Sequence, residues 1–236
     1  MDEQDEVVWG EIEGRRITFP MAVERFDAVT LSYPVDAAAA RALLPGDAFE
    51  VVEADGLARF VLAACDYHEN PWGDYLELNL GFLARPVGAD PSVVGSFVYR
   101  MPVDQPFTCR AGNEVLGFPK TVEDLSVHRD AEAGTGAFAW HRDGALVLRL
   151  AFPAVEPAGE AARVATDSYS YLDGVPHATA LDMDLGTGIV DPAQVVLELG
   201  EDPVADELRG LGLPRPAELV AWGTDLTATF QLGRPL

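Results

Sequence analysis

The sequence has almost no lysine. Lys120 is the single lysine among 236 residues, and the other 15 of its 16 basic residues are arginines. Arginine can take over surface and salt-bridge roles from lysine, but it cannot form an imine with a carbonyl group.

The 39 acidic residues give a net charge of −23. Such a surface repels phosphate backbones and anionic lipids, which excludes nucleic-acid binding. A high-salt cytoplasm and a biased codon usage both account for this acidity.

Cysteines and long apolar runs are also scarce. Cys65 and Cys109 are the only cysteines and form no CxxC motif, so we expect two buried thiols in a reducing compartment. The longest apolar runs, such as "ALVLRLAF", are much shorter than the roughly 18 to 20 residues that cross a bilayer. The acidic start "MDEQDEVVWGEIEG" does not resemble a secretory signal. These features predict a cytoplasmic protein.

Several catalytic motifs are missing. The chain contains no GxSxG elbow, no P-loop, no GxGxxG after a strand and no HExxH. Its four histidines are scattered at spacings that suggest no shared metal site. Asp182 and Asp184 of "LDMDLGTG" are more typical of a solvated loop than of metal ligands. We therefore expect neither a metal nor an organic cofactor.

Most of the remaining sequence predicts β-strands separated by turns. "VVWGEI" and "RRITFPM" flank an "EG" turn and predict an opening hairpin, and "GAFAWH" and "ALVLRLAF" predict a later one. Short helices are predicted at "DAAAARALL", with Asp36 as N-cap, at "TCRAGNEVL" and at "DPVADELRGLG". Long helices between strands are missing, which disfavours a parallel βαβ architecture. We predict a single mostly antiparallel, barrel-like α+β domain over residues 1–236, with residues 1–6 as a frayed tail and an interior that can hold a small ligand.

Lys120 follows an apolar segment, "VLGFP", in which Gly117 and Pro119 constrain the backbone. Burial among such residues removes water from an ammonium group and favours the neutral, nucleophilic amine. The alternative is an ordinary surface lysine that has not drifted to arginine. Residue chemistry alone leaves these two interpretations evenly balanced.

The segment around Lys120 resembles a known family. "NEVLGFPK" is similar to the Glu-x-x-[Gly/Ala]-[Phe/Tyr]-Pro-Lys signature of acetoacetate decarboxylase-like proteins, in which the lysine after the proline forms a Schiff base. "DYLELNLG" resembles the segment that carries the family's active-site glutamate, which corresponds to Glu77. "VERFDAVTLSYPVDAAAARALLPGDAFEV" resembles the family's early strand, helix and turn. Arg25 lies nearest to the family's active-site arginine, with a slip of one residue.

This resemblance implies a lyase that acts on a small keto acid through a Schiff base on Lys120. Glu77 would position the substrate and shuttle a proton, and Arg25 would hold the substrate carboxylate. The resemblance also implies a homo-oligomer that needs no cofactor. Four further residues are expected around the substrate: Thr121, Phe118, Phe107 and Met101.

One position departs from the family pattern. In the decarboxylases a second lysine directly follows the Schiff-base lysine, whereas this chain has Thr121. Decarboxylation of a β-keto acid such as acetoacetate remains the favoured function. A Schiff-base aldolase or dehydratase of the same family and a noncatalytic barrel that binds carbonyl ligands remain as alternatives. A sensor that forms a stable imine lies between the enzymes and the noncatalytic barrel.

Overall fold

The computed structural model of the chain describes residues 6–154, 160–186 and 188–236. Its strands are β1 (Val7–Ile12), β2 (Arg15–Phe19), β3 (Met21–Asp36), β4 (Phe49–Val51), β5 (Glu53–Ala54), β6 (Leu57–Glu69), β7 (Tyr75–Pro86), β8 (Gly95–Val103), β9 (Lys120–Val122), β10 (Asp124–Asp130), β11 (Thr135–Arg142), β12 (Ala145–Pro153), β13 (Arg163–Leu172), β14 (Val175–Asp184), β15 (Gly188–Ile189), β16 (Val196–Leu199), β17 (Leu219–Phe230) and β18 (Arg234–Pro235). Its helices are α1 (Ala37–Leu43), α2 (Pro106–Leu116) and α3 (Pro203–Gly210), with a 3-10 turn at Pro192–Gln194. No helix in this described part is long and apolar enough to cross a bilayer.

Seven of these strands close into a barrel. Their order is β17-β3-β6-β7-β8-β13-β14, and β14 pairs back to β17. The β8–β13 pair is parallel, whereas the other pairs around the ring are antiparallel. Side chains alternate between the inside and the outside of a barrel wall. Every second residue of each long strand therefore faces a common interior.

The outside of the barrel wall is also covered. Strands β10, β11, β12 and β16 form a second sheet of four strands. A hydrophobic core joins Phe138, Trp140 and Leu150 of this sheet to barrel residues such as Phe60 and Phe82. The residues of β6 that face this core, such as Phe60 and Leu62, alternate with Val61 and Ala63, which line the barrel interior. This second sheet packs against the outer face of the barrel wall, so it does not fill the barrel interior.

The structure confirms a mostly antiparallel α+β fold. It also confirms the opening hairpin, the later hairpin and the three predicted helices. The Asp36 side chain caps α1 by accepting a hydrogen bond of 2.8 Å from the Ala39 N–H. The interpretation of "LDMDLGTG" as a loop was wrong, because Asp182 and Asp184 lie in β14, which pairs along its whole length with β13.

Candidate active site

Lys120 begins the short strand β9, directly after α2. Strand β9 pairs in parallel with the end of β8, where Met101 lies opposite Lys120 and Val103 opposite Val122. Val103 is also paired with Glu77 of β7. The order β7-β8-β9 therefore brings Lys120 and Glu77 together, although they are far apart in the sequence.

The turn between α2 and β9 depends on Gly117. Gly117 ends α2 with a φ of 66°, in the left-handed region that glycine adopts most easily. A Cβ at this position would also lie 2.5 Å from the Tyr171 carbonyl oxygen on β13. The neighbouring Leu116 carbonyl accepts a hydrogen bond of 2.7 Å from the buried Ser170 hydroxyl. Helix α2 is thereby fixed against the barrel wall at the point where the chain turns toward Lys120.

Asn113 holds the backbone of Lys120 from the last turn of α2. Its side-chain oxygen accepts a hydrogen bond of 2.8 Å from the Lys120 N–H, and its side-chain nitrogen donates one of 3.1 Å to the Lys120 carbonyl. These two bonds fix both backbone polar groups of one residue. The lysine side chain therefore leaves the backbone in a defined direction.

The Lys120 amine and the Glu77 carboxylate form a buried pair. Lys120 Nζ lies 2.7 Å from Glu77 Oε2, and the two side chains are only 3% and 6% exposed. The amine also donates a hydrogen bond of 3.3 Å to the Thr108 hydroxyl. Two aromatic rings face it, those of Tyr75 at 5.1 Å and Trp72 at 5.8 Å from their centroids. At this distance a proton can pass directly between the amine and the carboxylate.

Helix α2 presents Thr108 and Gly112, one helical turn apart, to the Lys120 side chain. A Cβ built on Gly112 would lie 2.6 Å from both Cδ and Cε of Lys120. The lysine stem therefore occupies the space that any other residue at this position would fill. Glycine usually weakens a helix interior, and at Gly112 it makes room for the amine.

Two buried tyrosines extend the site beyond the residues expected from the sequence. The rings of Tyr67 and Tyr75 stack with centroids 4.5 Å apart, and the Tyr75 hydroxyl interacts with that of Thr108. Burial, with a further contribution from the charge of Glu77, raises the pKa of both phenols well above the ordinary value. Both hydroxyls therefore keep their protons and can act as donors. The only sequence signal for them is the alternation of Tyr75 with Glu77.

The pair opens into a cavity of about 460 Å³ inside the barrel. Tyr75, Glu77 and Asn79 all line it, as the alternation along β7 predicts. Most of its other wall residues are apolar. They include Met21, Leu116, Leu181, Met183, Ala228 and Phe230. A cavity of this size and lining is typical of a site for a small organic molecule.

The structure brings some of the residues expected from the sequence into this cavity and leaves others out. Met101 and Phe118 line it together with Lys120 and Glu77. Thr121 does not, because it follows Lys120 on a strand and points to the opposite face, where its hydroxyl donates a hydrogen bond of 3.0 Å to Glu123.

Phe107 and Arg25 also lie outside the cavity. Phe107 is buried, with the Arg15 guanidinium 4.4 Å from its ring centroid, and is not part of the cavity wall. Arg25 is 40% exposed and donates a hydrogen bond of 2.8 Å to Glu69. Neither side chain lies where a substrate in the cavity could contact it, contrary to what we expected from the sequence.

Basic side chains are scarce in the described part of the cavity wall. Over residues 6–154, 160–186 and 188–236, Lys120 is the only basic side chain in its wall, and Glu77 is the only acidic one. The remaining residues of the chain include neither lysine nor arginine. A ligand carboxylate inside the barrel therefore has no guanidinium to bind.

A second polar cluster lies on the barrel but outside the cavity. Ligand atoms of Asp27, Asp66 and His68 lie within 4.8 Å of one another. The Arg129 guanidinium contacts both carboxylates, and the Asp225 N–H donates a hydrogen bond of 2.9 Å to Asp27. These oxygens are already bound by donors of the protein, so the cluster is an ion-pair network that ties β3, β6 and β10 together.

The buried phenols predict a loss of stability in alkaline solution. Their ordinary pKa is 10.0, and burial raises it in the folded chain. Above pH 10 the unfolded chain releases protons that the folded chain retains, so the free energy of unfolding falls as the pH rises. Each proton that the folded chain fully retains lowers the free energy of unfolding by about 1.4 kcal/mol per pH unit. Urea unfolding between pH 8 and about 11 measures this slope. The Tyr67→Phe, Tyr75→Phe double variant should make it less steep, and Tyr33, Tyr99 and Cys65, whose pKa burial also raises, contribute to the remainder. An unchanged slope in that variant would contradict the prediction.

A family profile and several solved structures match this chain. The profile of the family named acetoacetate decarboxylase matches residues 13–234. No curated protein sequence matches the chain. The segment around Lys120 and the segment around Glu77, on which the resemblance was based, both lie within the matched range.

Solved structures share the fold at low sequence identity. A structure from structural studies of acetoacetate decarboxylase is 17% identical with a TM-score of 0.65, covering 92% of this chain and 89% of the other. Acetoacetate decarboxylase from Legionella pneumophila subsp. pneumophila str. Philadelphia 1 is 18% identical with a TM-score of 0.65, covering 92% and 87%. The enduracididine biosynthesis enzyme MppR complexed with pyruvate is 17% identical with a TM-score of 0.61, covering 93% and 91%.

Proposed function

We propose, from the premise that the chain belongs to the acetoacetate decarboxylase family, that it decarboxylates a 3-oxo carboxylic acid through an imine on Lys120. One observation carries this proposal: the Lys120 amine is buried in a cavity, 2.7 Å from the Glu77 carboxylate. A buried amine with a proton acceptor in direct contact is the arrangement that nucleophilic attack on a carbonyl needs.

Imine formation uses the buried pair directly. The ammonium transfers a proton to Glu77, and the neutral amine attacks the ketone carbon of the substrate. The substrate oxygen takes one proton from the attacking nitrogen and a second from Glu77, and it leaves as water to give the protonated imine. Thr108, which accepts a hydrogen bond from the amine at 3.3 Å, keeps Nζ aimed at the cavity during these steps.

Carbon–carbon cleavage follows from the charge of the imine. The protonated imine withdraws electrons, so the bond to the carboxylate breaks and its electron pair forms the enamine double bond. Carbon dioxide leaves, and Glu77, which is again a carboxylate, takes up a proton from solvent and adds it to the terminal carbon. Water then hydrolyses the imine, which releases a ketone and regenerates the Lys120 amine.

The lack of a second cation favours decarboxylation over aldol chemistry. An aldolase or dehydratase can hold the substrate carboxylate with an arginine throughout its reaction, and such a contact stabilises the ground state of a decarboxylase substrate. In the described part of the chain Lys120 is the only cation in the cavity wall, and Arg25 binds Glu69 outside it. A carboxylate beside the protonated imine is thus poorly solvated until it leaves as neutral carbon dioxide.

Thr121 fits this mechanism without a second lysine. Its side chain points away from the Lys120 amine and binds Glu123. The proton of Lys120 has an acceptor in Glu77, and most of the surrounding cavity wall is apolar. Deprotonation in this chain therefore depends on transfer to Glu77 and not on repulsion by an adjacent ammonium.

Borohydride trapping combined with detection of carbon dioxide tests the proposal. Incubation with acetoacetate should release carbon dioxide, and reduction with borohydride should add one substrate-derived group to the protein mass. Peptide mapping should locate this group on Lys120, since the N-terminal amine is the only other primary amine. A 3-oxo acid with a longer side chain is tested in parallel.

The outcomes separate the alternatives. An adduct with pyruvate and no carbon dioxide from any 3-oxo acid would replace decarboxylation with aldolase or dehydratase chemistry. A stable adduct with no product would indicate a carbonyl sensor. No adduct with any keto acid would exclude imine chemistry and leave a noncatalytic barrel.

A further inference from the structure

The cavity continues well beyond the Lys120–Glu77 pair. Along β6 its wall is formed by Tyr67, Cys65, Ala63 and Val61, every second residue of the strand. Cys65 is paired with Glu77, and Val61 lies four residues further along. At a rise of about 3.3 Å per residue, this passage extends roughly 13 Å from the level of Glu77.

The far end of this passage is open, whereas the end at Lys120 is closed. Val94 and Leu219 line the cavity and are 44% and 45% exposed. At the other end Trp72 and Phe118 are 3% and 4% exposed. A substrate that enters past Val94 and Leu219 therefore passes the whole length of the passage before its carbonyl carbon reaches the amine.

Among the described residues, no charged side chain lines the passage beyond the Lys120–Glu77 pair, and its polar side chains are unpartnered. Its hydroxyl and amide groups come from the four strands β3, β7, β8 and β13, and none of them forms a side-chain hydrogen bond within the described ranges. They are Thr30, Ser32, Asn79, Ser96, Thr166 and Ser168. Because these groups are neutral, they can accept an uncharged chain with or without a hydrogen-bonding atom. They offer no positive charge to balance a second carboxylate.

We propose that the natural substrate is a 3-oxo acid with an extended, uncharged and mainly apolar tail, which lies in the passage along the wall that Ala63 and Asn79 form while the 3-oxo group is at Lys120. This inference rests on the proposed function. Acetoacetate would leave most of the roughly 13 Å passage empty, and the cavity of about 460 Å³ lies in the range that holds far larger ligands. An apolar tail gains binding energy by leaving water along this wall.

A series of 3-oxo acids tests the tail directly. The rate of carbon dioxide release, corrected for the spontaneous reaction, is measured for acetoacetate, 3-oxohexanoate and 3-oxooctanoate. Full burial of a methylene corresponds to a gain of about fourfold, and incomplete burial lowers it, so kcat/KM should rise at least about 30-fold from acetoacetate to 3-oxooctanoate. 3-Oxoadipate, which ends in a second carboxylate, should react about 100-fold more slowly than 3-oxohexanoate, because no cationic side chain of the passage balances its second charge.

A variant that narrows the passage tests whether the rise in kcat/KM with chain length depends on the passage or only on the hydrophobicity of the substrate. Ala63→Phe places a ring in the passage two residues from Cys65, away from Lys120. It should lower the ratio of kcat/KM for 3-oxooctanoate over acetoacetate by at least about tenfold. Ala54→Phe adds the same ring on the exposed strand β5 and should leave this ratio unchanged.

The failure of this inference differs from the failure of the proposed function. Equal kcat/KM values for all chain lengths, or a faster reaction of 3-oxoadipate than of 3-oxohexanoate, would contradict the proposed apolar tail of the substrate. Neither result would contradict the proposed decarboxylase activity. If no acid reacts, binding of the product-like ketones 2-heptanone and acetone is measured by calorimetry. Binding of 2-heptanone that is at least about 30-fold tighter and is lost in Ala63→Phe supports the tail, and equal affinities overturn it.

Discussion

Replacement of Lys120 with arginine is expected to lower the kcat/KM for 3-oxo acids by at least about 10³-fold and to remove the borohydride adduct from this position. A guanidinium keeps the positive charge beside Glu77 but does not form an imine. The buried Glu77 carboxylate therefore retains a cationic partner, which avoids the cost of about 3 to 5 kcal/mol for leaving one member of a buried pair alone. Rates and intact masses are measured under the same conditions as for the unchanged protein.

Two controls make the Lys120→Arg result specific. Urea unfolding should give a free energy within about 2 kcal/mol of that of the unchanged chain, since most single substitutions fall in this range. Glu77→Gln keeps the shape and a hydrogen-bonding oxygen but cannot take up the proton, so it should slow both imine formation and turnover. Undiminished decarboxylation in Lys120→Arg would exclude imine chemistry.

Replacement of Gly112 with alanine should produce the second-largest effect, a loss of about 100-fold in kcat/KM. The new Cβ would lie 2.6 Å from Cδ and Cε of Lys120. Since that distance is too short, the lysine stem must move, and its amine moves with it. A displacement of about 1 Å at a reacting group is enough for a loss of this size. Alanine favours a helix over glycine by about 1 kcal/mol, so α2 should remain folded.

Gly210→Ala is the matched control, because it makes the same change in α3, where a Cβ meets nothing within 4 Å. It should leave kcat/KM unchanged. For Gly112→Ala the yield of the borohydride adduct should fall together with the rate, since both depend on the position of the same amine. Wild-type activity in Gly112→Ala would mean that Lys120 acts from a different conformation.

Much of the local structure could be predicted from the sequence because its signals are local. The opening hairpin has an "EG" turn between alternating strands, and Asp36 provides the cap of α1. The proposed imine chemistry also has a basis in the sequence, because an imine needs a primary amine and the chain has one lysine, Lys120. Its position after a glycine and a proline indicated that a helix ends and a strand begins there, as the structure confirms.

The strands β13 and β14 could not be predicted in the same way. Strand β13 is rich in serine, threonine and tyrosine, and its inward residues Thr166 and Ser168 face the cavity and not an apolar core. Its polar pattern therefore resembles a loop. The parallel pairing of β8 with β13 joins residues that are distant in sequence and has no local signal.

The tertiary structure also decided which candidate side chains share the site. Arg25, Thr121 and Phe107 lie outside the cavity, and Tyr67, Trp72 and Thr108 surround the amine. The sequence by itself identified Lys120 as the candidate reactive group, because an imine needs a primary amine and the chain has one lysine. Only the tertiary structure decided what surrounds Lys120, because the closure of the barrel determines which side of each strand faces inward. The same closure determines the uncharged passage from which we infer the substrate's tail.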